Sequence, residues 1–114
     1  MIAVIFEFTA VGAKRDEYLE LAAALNAQVK DFDGFLGIER FQSLSNPDRY
    51  VSLSFWRDED AVRKWRNLQR HREAQAKGRA GIFKSYRLRI AEIVRDYTLE
   101  ERAQAPADSR EVHG

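Results

Sequence analysis

The chain has no cysteine, two prolines, one methionine and two histidines in 114 residues. The missing cysteine excludes disulfides, thiolate metal sites and cysteine nucleophiles. With no His-x-x-x-His pair and one histidine confined to the C-terminal tail, no metal site is expected. No apolar run is long enough to span a bilayer. The N-terminal stretch Ile2–Phe8 lacks a basic leader and a cleavage site and is interrupted by Glu7, so it reads as a strand and not a signal peptide. Net charge is only +1, which gives no electrostatic case for nucleic acid or an anionic membrane. Gly78-Arg79-Ala80-Gly81 lacks the length and lysine placement of a phosphate loop. These features fit a cytoplasmic location. What is present is ordinary globular material, 45% hydrophobic and 32% charged, enough for one domain with a real core.

Two periodicities organise that material. Residues 2–9 alternate, with Ile2, Val4, Phe6 and Phe8 on one side and Ala3, Ile5, Glu7 and Thr9 on the other. Neither side is uniformly polar, so a strand covered on both faces is predicted. Glu7 is then either an inward or cleft-facing carboxylate or an edge residue reaching water. A helix is predicted from about Lys14 to Asp31, with Tyr18, Leu21, Ala22, Leu25 and Val29 as its apolar stripe. Gly34 supplies the turn that ends it. Residues 35–44 and 49–56 form two strands joined by the turn signal Ser45-Asn46-Pro47-Asp48. In the second of these, Val51, Leu53 and Phe55 oppose Tyr50, Ser52, Ser54 and Trp56. Asp58 is a good N-cap for a second helix running to about Lys77, with Glu59 and Asp60 in its first turn. Ala61, Val62, Trp65, Leu68 and Gln69 follow helical spacing. Residues 82–96 make the last strand, in which Tyr86, Leu88 and Ile90 alternate with Ser85, Arg87 and Arg89, and the adjacent Ile93 and Val94 suggest a bulge near Ala91-Glu92. From Tyr97 the chain turns polar, so residues 97–114 are expected to be disordered or an arm laid on a partner.

The order β-α-β-β-α-β predicts an α+β, ferredoxin-like domain over residues 1–96, a four-stranded antiparallel sheet with two helices on one face. Apolar residues on both faces of strands one and three predict that a second copy covers the open face, giving a two-fold homodimer.

The element order and the segment Ser54-Phe55-Trp56-Arg57-Asp58-Glu59-Asp60-Ala61-Val62-Arg63-Lys64-Trp65 resemble the antibiotic biosynthesis monooxygenase family of dimeric α/β-barrel proteins. The resemblance covers about residues 2–96. It implies a cofactor-independent monooxygenase acting on a small hydrophobic, quinol-like aromatic molecule, a haem-binding or haem-degrading enzyme, or a non-catalytic small-ligand binding or stress protein. The haem-degrading branch carries an Asn on strand one, a Trp on helix two and a His ten positions further on. Trp65 matches the Trp; Glu7 stands nearest the Asn, and Gln75 stands in place of the His, with His71 six positions beyond Trp65. Offsets of six and ten differ by only about 40° around a helix.

The cofactor-free reaction asks for an apolar cleft, a base and a cation that stabilises the developing anion. The candidates are His71, Glu7 and Arg72 as catalytic groups, and Trp65, Phe83, Tyr86 and Arg87 for binding substrate. Each also has a plainer role. Trp65 and Trp56 suit core anchors. His71 suits a helix C-terminus, and Arg72 a solvated face. Tyr86 is core or pocket, and Arg87 with Arg89 forms an ion-pair set or an anion site.

Overall fold

The computed structural model describes residues 1–76 and 85–113, with the side chains of 70–76 and of 112–113 left aside. The elements are β1 (Ile2–Thr9), α1 (Ala13–Val29), β2 (Phe35–Gln42), β3 (Arg49–Trp56), α2 (Glu59–Ala76), β4 (Ser85–Glu92) and α3 (Ala107–His113). The four strands make one antiparallel sheet in the order β2-β3-β1-β4. This is the ferredoxin-like arrangement expected from the chain order, with α3 as an additional short helix in the C-terminal segment.

Each boundary has a local cause. The turn before β2 is closed by Gly34 at φ 90°, a left-handed conformation that other residues adopt only with strain. A Cβ at this position would sit 2.5 Å from that of Ala61, so the turn lies directly against the first turn of α2. The Arg57 amide donates to the Gly34 carbonyl at 2.7 Å, tying the end of β3 to the start of β2. Asp58 caps α2 as expected, its Oδ1 accepting from the Ala61 amide at 2.8 Å. That bond and a second from the Arg57 side chain hold the Asp58 carboxyl below its ordinary range. Ser43, Asn46 and Arg49 close the β2–β3 turn: the Ser43 amide donates to the Arg49 carbonyl, and the Arg49 amide to that of Asn46.

Two details of the strands differ from simple alternation. β4 pairs with β1 without a register shift from Thr9↔Ser85 to Ile2↔Glu92. No bulge is needed at Ala91-Glu92, because the strand ends there and Ile93 and Val94 lie past it. The irregularity falls instead in β2, where an extra residue, Leu36, sits between Phe35 and Gly37.

The sheet packs against the helices through two separate clusters. One joins Ile2, Val29, Trp56, Ala61 and Val62. The other joins Phe8, Ala10, Tyr18 and Ala22. α1 contributes Val29 to the first and Tyr18 and Ala22 to the second, so it is anchored near both its ends. The opposite face of the sheet carries Ala3 and Ile5 from β1 and Val51, Leu53 and Phe55 from β3, with Phe41 from β2 exposed at 45%.

Candidate functional site

Between the two anchoring clusters lies a cavity of about 340 Å³. Its floor is the helix-facing side of the sheet: Val4 and Phe6 of β1, Ser52, Ser54 and Trp56 of β3, and Phe35, Ile38 and Arg40 of β2. Leu21, Leu25 and Asn26 of α1 and Val62, Trp65, Arg66 and Gln69 of α2 form the walls, and Leu88 and Ile90 of β4 close one side. The lining is mainly apolar, as in most small-molecule sites.

Four rings build one end. Trp56 and Trp65 have centroids 6.3 Å apart. Phe35 meets Trp56 edge-on at 5.3 Å, and Phe32 meets Trp65 edge-on at 5.2 Å. Edge-to-face packing satisfies the ring quadrupoles and fixes the rings without filling the space before them. The Trp56 indole donates to Ser54 Oγ at 2.9 Å, which satisfies its buried N–H.

The polar groups gather around Arg40. Its Nε donates to the Tyr18 hydroxyl at 2.8 Å and its Nη1 to Asn26 Oδ1 at 2.8 Å. Burial pushes the Tyr18 hydroxyl above its ordinary range, with Arg40 opposing that shift, so Tyr18 is a neutral phenol near pH 7. Gln69 adds a buried Nε2 with no hydrogen-bond partner among the described residues. An unpaired buried donor costs on the order of 1–3 kcal/mol.

The structure gathers only part of the sequence-derived set. Trp65 lines the cavity. Tyr86 is on the helix-facing side by register with Phe8, with its ring 5.7 Å from Phe6. It is 69% exposed and outside the cavity wall. Glu7 and Arg87 are register partners on the opposite face of the sheet. Glu7 accepts there from Arg49 at 3.1 Å and from Arg89 at 3.0 Å. It therefore faces away from Trp65, and Phe6 is the strand-one residue next to it that reaches the cavity. His71 and Arg72 belong to α2, beyond Gln69 and its cavity-facing turn, and their side chains lie outside the described set. Phe83 lies outside the described residues. Among the described residues, no three of His, Asp and Glu stand together in a metal-holding group, and no helix is long and apolar enough to cross a membrane.

Sequence reading missed Arg40, Asn26 and the two serines. Arg40 shares its face with Phe35 only because Leu36 is an extra residue. Strict alternation from Phe35 would have placed Glu39 beside it instead.

Comparison with known proteins agrees with the fold. The antibiotic biosynthesis monooxygenase family model matches residues 1–77. A jasmonate monooxygenase of Pyricularia oryzae is 42% identical over 93 residues, which are 82% of this chain and 43% of that protein. The chain thus spans less than half the length of that relative. Among solved structures, the Mycobacterium tuberculosis haem degrader MhuD, with two haems bound, is 26% identical, with 84% of this chain and 99% of that one covered and a TM-score of 0.60. SnoaB, a cofactor-independent oxygenase from Streptomyces nogalater, is 18% identical, with 83% and 94% covered and a TM-score of 0.64, a likeness of fold. By the extent of the family match and the closeness of the fungal relative, this chain belongs to the antibiotic biosynthesis monooxygenase family.

Proposed function

We propose that the protein is a cofactor-independent monooxygenase acting on a small, hydrophobic, quinol-like aromatic substrate held in the cavity between helices and sheet. The observation that supports this reading best is the cavity's lining: an aromatic end built from Trp56, Trp65 and Phe35, and a hydrogen-bonded guanidinium at Arg40. The rings bind a flat apolar molecule. Removing a proton from a phenol or an activated ring carbon leaves an electron-rich anion that reacts directly with dioxygen. One oxygen atom stays on the ring carbon as a new carbonyl, the other leaves as water, and the substrate supplies the electrons. The protein's work is to bind the ring, remove the proton and stabilise the anion. His71 on α2 is the proposed base, with Arg72 next to it in sequence.

Of the residue types that serve as axial ligands, the described lining offers only Tyr18, which burial keeps neutral and Arg40 engages. The relation to MhuD nevertheless makes hemin a necessary control, titrated against wild type and His71→Ala.

A homodimer is part of the same proposal. The apolar outer face of β1 and β3 is the surface by which two sheets would pack.

The test is dioxygen uptake by purified protein with a panel of quinols and anthrones. Jasmonate joins the panel because the fungal relative is named for it. Uptake that is lost in His71→Ala and reduced in Trp65→Ala supports the proposal. No uptake across the panel sinks it, and a saturable Soret shift with hemin that vanishes in His71→Ala would replace it with the haem reading.

A further inference from the structure

Arginine occurs on both faces of this sheet in opposite circumstances. On the outer face, Arg49 and Arg89 both bond the Glu7 carboxylate. On the cavity face, Arg40 has only neutral partners, the Tyr18 hydroxyl and the Asn26 amide oxygen. Among the described residues no carboxylate pairs with it, and none of the side chains lining the cavity is acidic. A guanidinium cannot shed its proton, and Arg40 is half-buried with no counter-charge beside it among the described residues.

The two bonds that Arg40 makes also fix its plane. Nε and Nη1 are committed to α1, and Nη2 is bonded to none of the described residues. A cation held in this way is pre-organised, so a ligand that meets it loses little freedom in ordering it. Gln69 Nε2 is a buried donor in the same cavity. The chain thus brings a fixed positive charge and an unsatisfied donor, with the exposed Arg66 as a second cation, to a space lined mainly by rings and aliphatic groups with Ser52 and Ser54 on its floor. What complements that set is an acceptor carrying negative charge on an apolar body.

Resting on the reading of this cavity as the substrate site, we propose that its ligand bears an anionic oxygen, recognised by Arg40 with Gln69 as the second donor, and that its apolar ring lies against Trp56 and Trp65. A carboxylate or the phenolate of the reacting ring meets this requirement. Arg40 is then a specificity-determining residue that selects the charged form of the substrate over its neutral isostere.

The test is calorimetric titration of the full chain with a matched pair, 2-naphthoate and 2-naphthamide. Wild type is expected to bind the acid about tenfold or more tightly than the amide, the worth of one hydrogen bond to a charged group. In Arg40→Met the ratio falls to about one while the amide still binds, and in Gln69→Leu the ratio falls part of the way. Equal binding of acid and amide in wild type overturns the inference and leaves the cavity reading intact. Binding of neither overturns both. The wild-type ratio decides the preference for an anion even if Arg40→Met fails to fold. Arg66 lines the same cavity, and Arg66→Met is expected to keep that ratio; its loss there overturns the assignment to Arg40. A third probe, 4-nitrophenol, separates the two sources of the anion. A shift of its visible band to that of the phenolate, at a pH where the free compound is neutral, assigns Arg40 to the reacting ring. An unshifted band together with tight naphthoate binding assigns Arg40 to a carboxylate.

Discussion

The two faces of the sheet use similar residues to different ends. The outer face is apolar along β1 and β3, and its half-buried carboxylate, Glu7, is bracketed by Arg49 and Arg89. Charge there is paired within the chain. The helix-facing side is covered but not filled. Its two anchoring clusters hold α1 and α2 in place, and the arginine between them has neutral partners only. An ion pair satisfied at home marks a face built for packing, whereas a fixed charge without a counter-charge marks a face built for something that arrives. The distinction lies in the partners, since the residue type is the same.

The comparison is broken most severely by attacking the anchors. Trp56→Ala removes a buried ring that serves both the first cluster and the cavity end. It is expected to lower unfolding free energy by about 3–5 kcal/mol, measured by urea denaturation. Its counterpart on the other face, Leu53→Lys, is expected to leave each chain folded and, on the proposed dimer, to halve the mass seen by analytical ultracentrifugation. An unchanged mass would remove the outer face as the dimer surface. Gly34→Ala comes next. The positive φ and the 2.5 Å approach to Ala61 predict a loss of roughly 2 kcal/mol in thermal or chemical unfolding.

A finer contrast comes from the charges themselves. Glu7→Gln leaves two arginines facing each other and is expected to cost about 0.5–1 kcal/mol, the usual scale for a solvent-reached pair. Arg40→Met should cost less than that in the ligand-free chain, because an uncompensated charge is removed along with its two hydrogen bonds. If Arg40→Met proves the more damaging of the two in side-by-side melts, Arg40 is structural and the contrast between the faces fails.

The smallest effect is a pH dependence at the start of α2. Asp33, Asp58 and Asp60 all have carboxyls held below their ordinary value of 3.8, Asp33 by Arg57, Asp58 chiefly by the Ala61 amide, and Asp60 by Arg63 and Lys64. A depressed folded-state value means that stabilisation is complete above 3.8 and is lost as pH falls through the folded value. Asp58→Asn, which keeps a cap acceptor, is expected to flatten the acid limb of a Tm-versus-pH curve below about pH 4. An unaltered limb would show that the cap carboxylate does not set it.

Much of the fold was legible because it rests on local pattern. The two faces of β1 and β3, the Gly34 turn and the Asp58 cap follow from alternation, a single glycine and the preference of a helix start for an acceptor. The site was legible only at Trp65, whose helical spacing points it toward the sheet. Glu7 was misjudged as a companion to that residue, since alternation shows that a strand has two faces without saying which one the helices cover. The partners that settle its role come from strands far along the chain, at Arg49 and Arg89. Arg40 escaped for two reasons. Its partners, Tyr18 and Asn26, lie 22 and 14 residues earlier, and the extra residue at Leu36 reverses the parity from which its direction would be counted.

That extra residue has a consequence for how the chain tolerates change. Phe35 is fixed from one end, by its pairing with Trp56 and the Gly34 carbonyl bonded to Arg57. Arg40 is fixed from the other, by a register that the Ser43–Arg49 turn sets. Leu36 sits where the two constraints meet and is itself exposed. It works as an expansion joint. The strand can lose this residue, becoming regular, without turning either the ring or the cation away from the cavity. Length variation in this stretch is therefore separated from ligand recognition, and a lineage can drift in the one while holding the other constant.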